Sequence, residues 1–165
     1  MSKDQLDAAA RVYAQGLLLE KPPGSKEPLE TLAQNMRLHL QTYLLRKSTR
    51  RIWLATSRNQ PVGLLDFFLQ TNTIRIRFLC AVPPSQGVGT QLMVKLARFA
   101  FDIGVKVIRT TVSSLDQRAK NFYFHHLGFF KTGTRTEESG FDLFIAAVSP
   151  QELLQRFSKP SLTER

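Results

Sequence analysis

The sequence predicts an α/β (α+β) fold: a mixed, mostly antiparallel central sheet with one parallel crossover, flanked by helices. Two segments with apolar residues three and four apart come before any strand pattern. Three strand-like runs then succeed one another across short turns, as in an antiparallel meander. A helical segment follows between two further strand-like runs, which is the order of a right-handed crossover between parallel strands. With only this crossover strongly parallel, the sheet is mixed and not doubly wound.

Residues 4–19 place Leu6, Ala9, Ala10, Tyr13 and Leu17 at helical spacing and end near the turn Lys21-Pro22-Pro23-Gly24. A second helix is expected from about Pro28, a favoured first-turn residue, with Glu27 and Glu30 near its positive end. Leu29, Leu32, Ala33, Met36, Leu40, Tyr43 and Leu44 continue the same rhythm and read as core. Strands are expected over 52–57, 62–69 and 74–82, with turns at Arg58-Asn59-Gln60-Pro61 and Thr71-Asn72-Thr73. The helix of residues 88–103 closes at Gly104, which suits a C-cap. A strand over 105–112 and a helix over 116–127, ended by Gly128, come next. Residues 129–136 and 141–148 form a closing hairpin around Glu137-Glu138-Ser139-Gly140, and a short amphipathic helix carrying Leu153, Leu154 and Phe157 starts at Pro150. The simplest organisation is a single domain over 1–165, with N-terminal helices (1–49), a core (50–148) and a C-terminal helix and tail (149–165).

A chain of 165 residues, 42% hydrophobic and 22% charged, is long enough for its own core and is not of the disordered class. No apolar run approaches the ~20 residues that span a bilayer. The start, Met1-Ser2-Lys3-Asp4-Gln5, lacks the basic and apolar regions of a secretory signal. Cys80 is the only cysteine, which excludes a disulfide framework and a multi-cysteine metal site, and no metal is expected. These features point to a cytoplasmic protein with no membrane partner. The net charge of +10 favours anionic partners. The densest cationic cluster, Arg46-Lys47-Ser48-Thr49-Arg50-Arg51, reads as a solvated connection at a helix end, with nucleic acid as its alternative. No aromatic interleaving or RNA-binding signature accompanies it.

The most informative local pattern is the apolar run Phe78-Leu79-Cys80-Ala81-Val82, the turn Pro83-Pro84-Ser85-Gln86, and a helix opening with Gly87-Val88-Gly89-Thr90. Glycines at a helix start leave N–H groups uncovered at the positive end of the helix dipole, where phosphate oxygens bind. A P-loop is excluded because no lysine follows the glycines. A dinucleotide fold is excluded because the third glycine is missing and neither Asp102 nor Asp116 ends a second strand at the required distance.

A second pattern lies downstream: Asp116-Gln117-Arg118-Ala119-Lys120-Asn121-Phe122-Tyr123, then Leu127-Gly128-Phe129. The two patterns, in this order and with a strand between them, resemble the motifs of the GNAT N-acetyltransferase family over roughly residues 50–148. That resemblance implies acetyl-CoA as co-substrate, lying where the third strand and the strand of residues 105–112 splay apart. It implies that backbone groups of Leu79, Cys80, Ala81 and Val82 bond the pantetheine, and that N–H groups of Gln86, Gly87, Val88, Gly89 and Thr90 hold the pyrophosphate. Asp116 stands at the family's usual Asn, Ala119 is small where the cofactor passes, and Tyr123 corresponds to the acid that protonates the leaving thiolate. A tyrosine with an ordinary pKa near 10 suits that donation.

The chain also departs from the family's pattern. The turn after Val82 is about three residues short, and Pro84 stands where Arg or Gln is usual. The segment from Tyr123 to Gly128 is one residue longer. The family's strand glutamate is Ile76 here, so base candidates are Asp66, His125, His126, Glu137 or Glu138, a water chain, or an amine of low pKa. His125 and His126 read first as helix-end residues, and Cys80 as a small strand hydrophobe. Arg75 and Arg77 share one sheet face, either solvated or recognising an acceptor's anionic group, and Phe67 and Phe68 point to opposite faces.

The resemblance implies direct acetyl transfer to the primary amine of a small molecule or peptide. The alternatives are a catalytically inert CoA-binding sensor or scaffold and a basic nucleic-acid-associated protein. A homodimer is compatible with either, and the amine acceptor stays open.

Overall fold

A computed structural model describes residues 3–20, 28–45 and 49–158. The expected turn at Lys21–Gly24, Glu27, the cations Arg46 and Lys47, and the side chains of Tyr43 and Leu44 lie outside what it describes. The elements run α1 (Lys3–Glu20), α2 (Leu29–Leu45), β1 (Arg50–Ser57), β2 (Gln60–Leu69), β3 (Thr73–Ala81), α3 (Val88–Asp102) and β4 (Val107–Ser113). They continue with α4 (Gln117–Lys120), a π-helical turn (Asn121–His126), β5 (Phe130–Thr136), β6 (Asp142–Val148) and α5 (Pro150–Ser158). The strands form a six-stranded sheet in the order β1-β2-β3-β4-β6-β5, mixed and mostly antiparallel, with β3 and β4 parallel.

The chain divides into two compact units, Met1–Phe67 with Phe78–Leu92 and Phe68–Arg77 with Met93–Arg165. In the first, α1 and α2 bury Leu6, Ala9, Ala10, Tyr13 and Leu40, as the helical spacing predicts, together with Val12, Leu64 and Phe78, while Leu17 and Met36 are only partly buried. Leu32 and Ala33 of α2 bury with Ala14 in a neighbouring cluster. Tyr13 stacks face to face on Phe78, ring centroids 4.2 Å apart.

The β1–β2 hairpin turns on Arg58 and Asn59, at φ +49 and +62. Positive φ at both central residues is the mark of the two-residue turn whose twist matches paired strands. The reversal is therefore complete by Asn59, and Gln60 and Pro61, expected in the turn, belong to β2. At its other end β1 begins at Arg50, two residues earlier than the expected start at 52.

In the second unit the parallel ladder joins Thr73 to Val107, Ile74 to Ile108 and Arg75 to Arg109. The helix before β4 ends as a Schellman motif: Gly104 N–H bonds the Phe101 carbonyl and Val105 N–H the Ala100 carbonyl, with Gly104 at φ +76. β4 then pairs with β6 from Ile108↔Val148 to Ser113↔Leu143, and β5 closes the sheet against β6. The expected hairpin at 137–140 is present, with Glu137 N–H bonding the Phe141 carbonyl. α5 opens on a reciprocal cap: Ser149 Oγ donates to Glu152 Oε2 at 2.6 Å, and Glu152 N–H donates back to Ser149 Oγ.

Candidate functional site

The strand before the glycine turn is held from two sides within the first unit. On one side is Gly16 of α1, where an added Cβ would lie 2.7 Å from Cys80 Cβ and 2.9 Å from Phe78. Cys80 Sγ lies 3.5 Å from the Val12 carbonyl oxygen, in keeping with a small packed hydrophobe. On the other side is Gly63 of β2, where a Cβ would lie 2.6 Å from Val88 Cγ1 and 3.3 Å from Leu92 Cδ1. The first turn of α3 thus rests directly on the backbone of β2. Neither glycine stands out in the sequence, because the contacts that require them are remote along the chain.

Val82 N–H donates to the Val62 carbonyl at 2.8 Å. That bond removes one group from the expected pantetheine edge of Leu79–Val82: the Val82 N–H serves the β2 side instead. Along a strand, successive residues direct their backbone groups to opposite neighbours. Ala81 and Leu79 are therefore the residues of this run whose groups point away from β2.

The turn itself carries Ser85 at φ +66 and Gly87 at φ +77, after a cis Val82–Pro83 peptide. Ser85, Gln86 and Gly87 are exposed. A Cβ on Gly87 would meet nothing within 4 Å, so glycine is required there by the left-handed backbone while the space beside it is open. Gln91 N–H closes the first helical bond to the Gly87 carbonyl, so the N–H groups of Val88, Gly89 and Thr90 precede the helical ladder. No acidic residue lies between Val82 and Phe101 in the sequence, so the first turn of α3 carries no negative charge of its own. This segment can receive an anion on backbone donors.

The second pattern lies wholly in the second unit. Asp116 is the N-cap of α4, its Oδ1 accepting from Ala119 N–H at 2.8 Å. The carboxylate expected beside the cofactor thus has a local partner on the residue expected to let the cofactor pass. Beyond Lys120 the helix widens: Leu127 N–H bonds the Phe122 carbonyl, five residues back. A π-helical turn takes one more residue than an α-helical one, in keeping with the longer segment expected between Tyr123 and Gly128.

Tyr123 is 8% exposed and packs edge-on against Phe129 and Phe122, each with ring centroids 5.3 Å apart. The end of the turn is capped from α5. Arg156 Nε donates to the His126 carbonyl at 2.7 Å and Nη2 to the His125 carbonyl at 2.6 Å. Gly128, at φ +78, leaves room for that guanidinium: a Cβ there would be 3.0 Å from Arg156 Nη1. Sequence reading missed Arg156. The signal available was the Ser149-Pro150-Gln151-Glu152 capping pattern, which marks where α5 begins and fixes its register.

The base candidates fall out differently. Asp66 is wholly buried and held by two bonds to Arg50, Nε to Oδ1 at 2.7 Å and Nη2 to Oδ2. This corrects the reading of Arg50 as part of a solvated cluster: it is a buried strand residue with a fixed partner, and neither group is available for exchange with solvent. Glu137 accepts from Arg135 at 2.6 Å. His125 and His126 are exposed at the helix end, as expected. Ile76, where the resemblance would lead one to expect a glutamate, is buried at 3% exposure. No cluster of metal-ligating side chains occurs among the described residues, and no described helix is long and apolar enough to cross a membrane.

A family model described as Acetyltransferase (GNAT) family matches residues 15–129. Among solved structures, the chain is similar to an acetyltransferase assigned to that family from Desulfovibrio desulfuricans, at 12% identity and TM-score 0.72, covering 90% of this chain and 94% of that one. It is also similar to the ribosomal-protein-S18-alanine N-acetyltransferase of Escherichia coli, at 16% identity and TM-score 0.63, with 100% and 96% covered. A third is the PaiA N-acetyltransferase of Thermoplasma acidophilum in complex with coenzyme A, at 15% identity and TM-score 0.66, with 90% and 95% covered. At such identities these likenesses are of fold. No curated protein sequence matches the chain. The family match covers well over half of the residues, and the chain belongs to the GNAT acetyltransferase family.

Proposed function

We propose that this GNAT-family chain is a single acetyltransferase domain that moves the acetyl group of acetyl-CoA to a primary amine by direct attack. The observation that carries the reading is the turn before α3: backbone at φ +77 on Gly87, open space beside it, and helix-start N–H groups with no acidic neighbour. Those donors suit a pyrophosphate, and the outward groups of Ala81 and Leu79 suit the amides of a pantetheine arm.

In the reaction the neutral amine nitrogen attacks the thioester carbonyl carbon and the carbon–sulfur bond breaks. Tyr123 gives its hydroxyl proton to the departing thiolate, and the proton lost by the amine passes to water. Asp66 is committed to Arg50 and Glu137 accepts from Arg135, so neither is assigned this role. An acceptor amine of lowered pKa, already neutral when it binds, fits a site of this kind. The reading includes a cytoplasmic location, in keeping with a lone cysteine.

The test is a thiol-release assay across amine classes, paired with calorimetry of CoA binding. Release with one class, with CoA bound, is expected; absence of CoA binding at millimolar concentration sinks the reading. A scaffold that binds CoA without transfer is the second reading, favoured by Ile76 where the family carries its glutamate. Tight CoA binding with no release from any amine would select it.

A further inference from the structure

The second unit carries a line of side chains to which the proposed transfer step assigns no role. The ladders set Arg75 beside Arg109, Arg109 opposite Ala147, and Ala147 opposite Phe130. These four positions cross β3, β4, β6 and β5 in one row, so their side chains share one face of the sheet. Arg75 and Arg109 are exposed and Phe130 is 55% exposed on the edge strand, while the small Ala147 between Arg109 and Phe130 is buried. Ile74 and Ile108, one position back, are wholly buried on the opposite face. At about 4.8 Å per strand, the row runs about 14 Å from Phe130 to Arg75.

Like charges set directly beside each other destabilise a sheet unless something anionic lies between them. Among the described residues neither Arg75 nor Arg109 has an acidic partner, and β3 and β4 contain no Asp or Glu. Arg77, further along β3, is exposed as well.

We infer that this face binds single-stranded nucleic acid, with Arg75 and Arg109 taking phosphates and Phe130 stacking on a base. The pairing of a cationic track with an aromatic platform on one sheet face is what such a strand requires. A second copy of the chain is the wrong occupant, because a two-fold interface would bring the same arginine row onto itself in a molecule of net charge +10. An acidic peptide would satisfy the arginines but offers Phe130 no aromatic face. The inference uses none of the residues 46–51, and it does not depend on the acetyltransferase reading.

The experiment is fluorescence anisotropy of the full chain with a labelled oligouridylate over a salt series, against a polyglutamate of matched charge. Binding should weaken steeply with salt, and Arg75→Gln or Arg109→Gln should each lower the log–log slope by about 1. Phe130→Ala should weaken binding about tenfold with the slope unchanged. Arg75→Lys, which keeps the charge, should bind as the parent does and guards against misfolding as the cause. Equal binding of polyglutamate, an indifferent Phe130→Ala, loss only on changing Arg46 and Lys47, or no saturable binding would each overturn the inference.

Discussion

The glycine turn before α3 and the tyrosine turn after α4 solve different problems by different means. The first offers backbone: N–H groups laid open at Gly87, with Gly16 and Gly63 letting α1 and α3 close on the strands beside it. The second offers one side chain, Tyr123, set by a widened helical turn, two aromatic neighbours and an arginine from a helix further along the chain. Backbone donors need only the right φ and an absence of Cβ, which short-range sequence supplies. A single proton donor needs a direction in space, which requires partners from elsewhere. The two regions should therefore fail differently: the first in affinity and stability, the second in rate.

The largest expected effect is on the tyrosine turn. Tyr123→Phe should lower kcat by roughly 10²-fold or more while leaving the CoA dissociation constant unchanged, measured by thiol release and calorimetry on the same preparation. Unchanged turnover would take Tyr123 out of the chemistry. Next is Gly63→Ala, which presses a methyl to 2.6 Å from Val88. It should cost about 1–3 kcal/mol of stability by thermal unfolding and weaken CoA binding, with kcat at saturation little altered.

Gly87→Ala meets no atom, so its cost is only that of an alanine at φ +77, about 1–2 kcal/mol. Gly87→Asn should recover part of it, because Asn tolerates that backbone better. A crowded turn would make the larger Asn worse than Ala, reversing the order. Arg156→Ala should lower kcat several-fold with KM for acetyl-CoA nearly constant, through loss of about 1 kcal/mol of capping. Arg156→Lys should restore part of the rate but not the two-bond fork. An equal loss in KM and kcat would mean that Arg156 supports the fold and not the direction of Tyr123.

The smallest effect is acid-side. Hydrogen bonds from the Ser149 side chain, and then its backbone, hold the Glu152 carboxyl below the usual range. A depressed carboxylate contributes stability above its unfolded pKa, and that contribution is lost as pH falls through the lower folded value. Glu152→Gln should flatten this limb of the stability profile. Because α5 carries Arg156, the acid loss should appear in the tyrosine turn and not at Gly87.

The Tyr123 helix was legible as a motif, yet its π-helical turn was not, because the extra residue between Tyr123 and Gly128 shows only as a length and not as a conformation. Arg50 sat in a run of cations that reads as solvated, and a single contact with Asp66, sixteen residues away, makes it core instead. The capping pattern at Ser149–Glu152 was present in the letters, but nothing local says that the helix it starts would reach back to His125. Arg75 and Arg109 look like unrelated strand residues until the β3–β4 register sets them side by side.

By itself the sequence determined what depends on near neighbours. Helical and alternating periodicity, the Gly104 cap, the Gly87 turn and the order of strands all follow from interactions within a few residues, while the resemblance to GNAT acetyltransferases rested on the two motifs around Gly87 and Tyr123. Tertiary structure alone decided that Asp66 is committed to Arg50, which glycines are contact points, and which cations line up, because each depends on residues brought together from separate stretches of chain. Periodicity tells which face of an element is apolar; only packing tells what meets it.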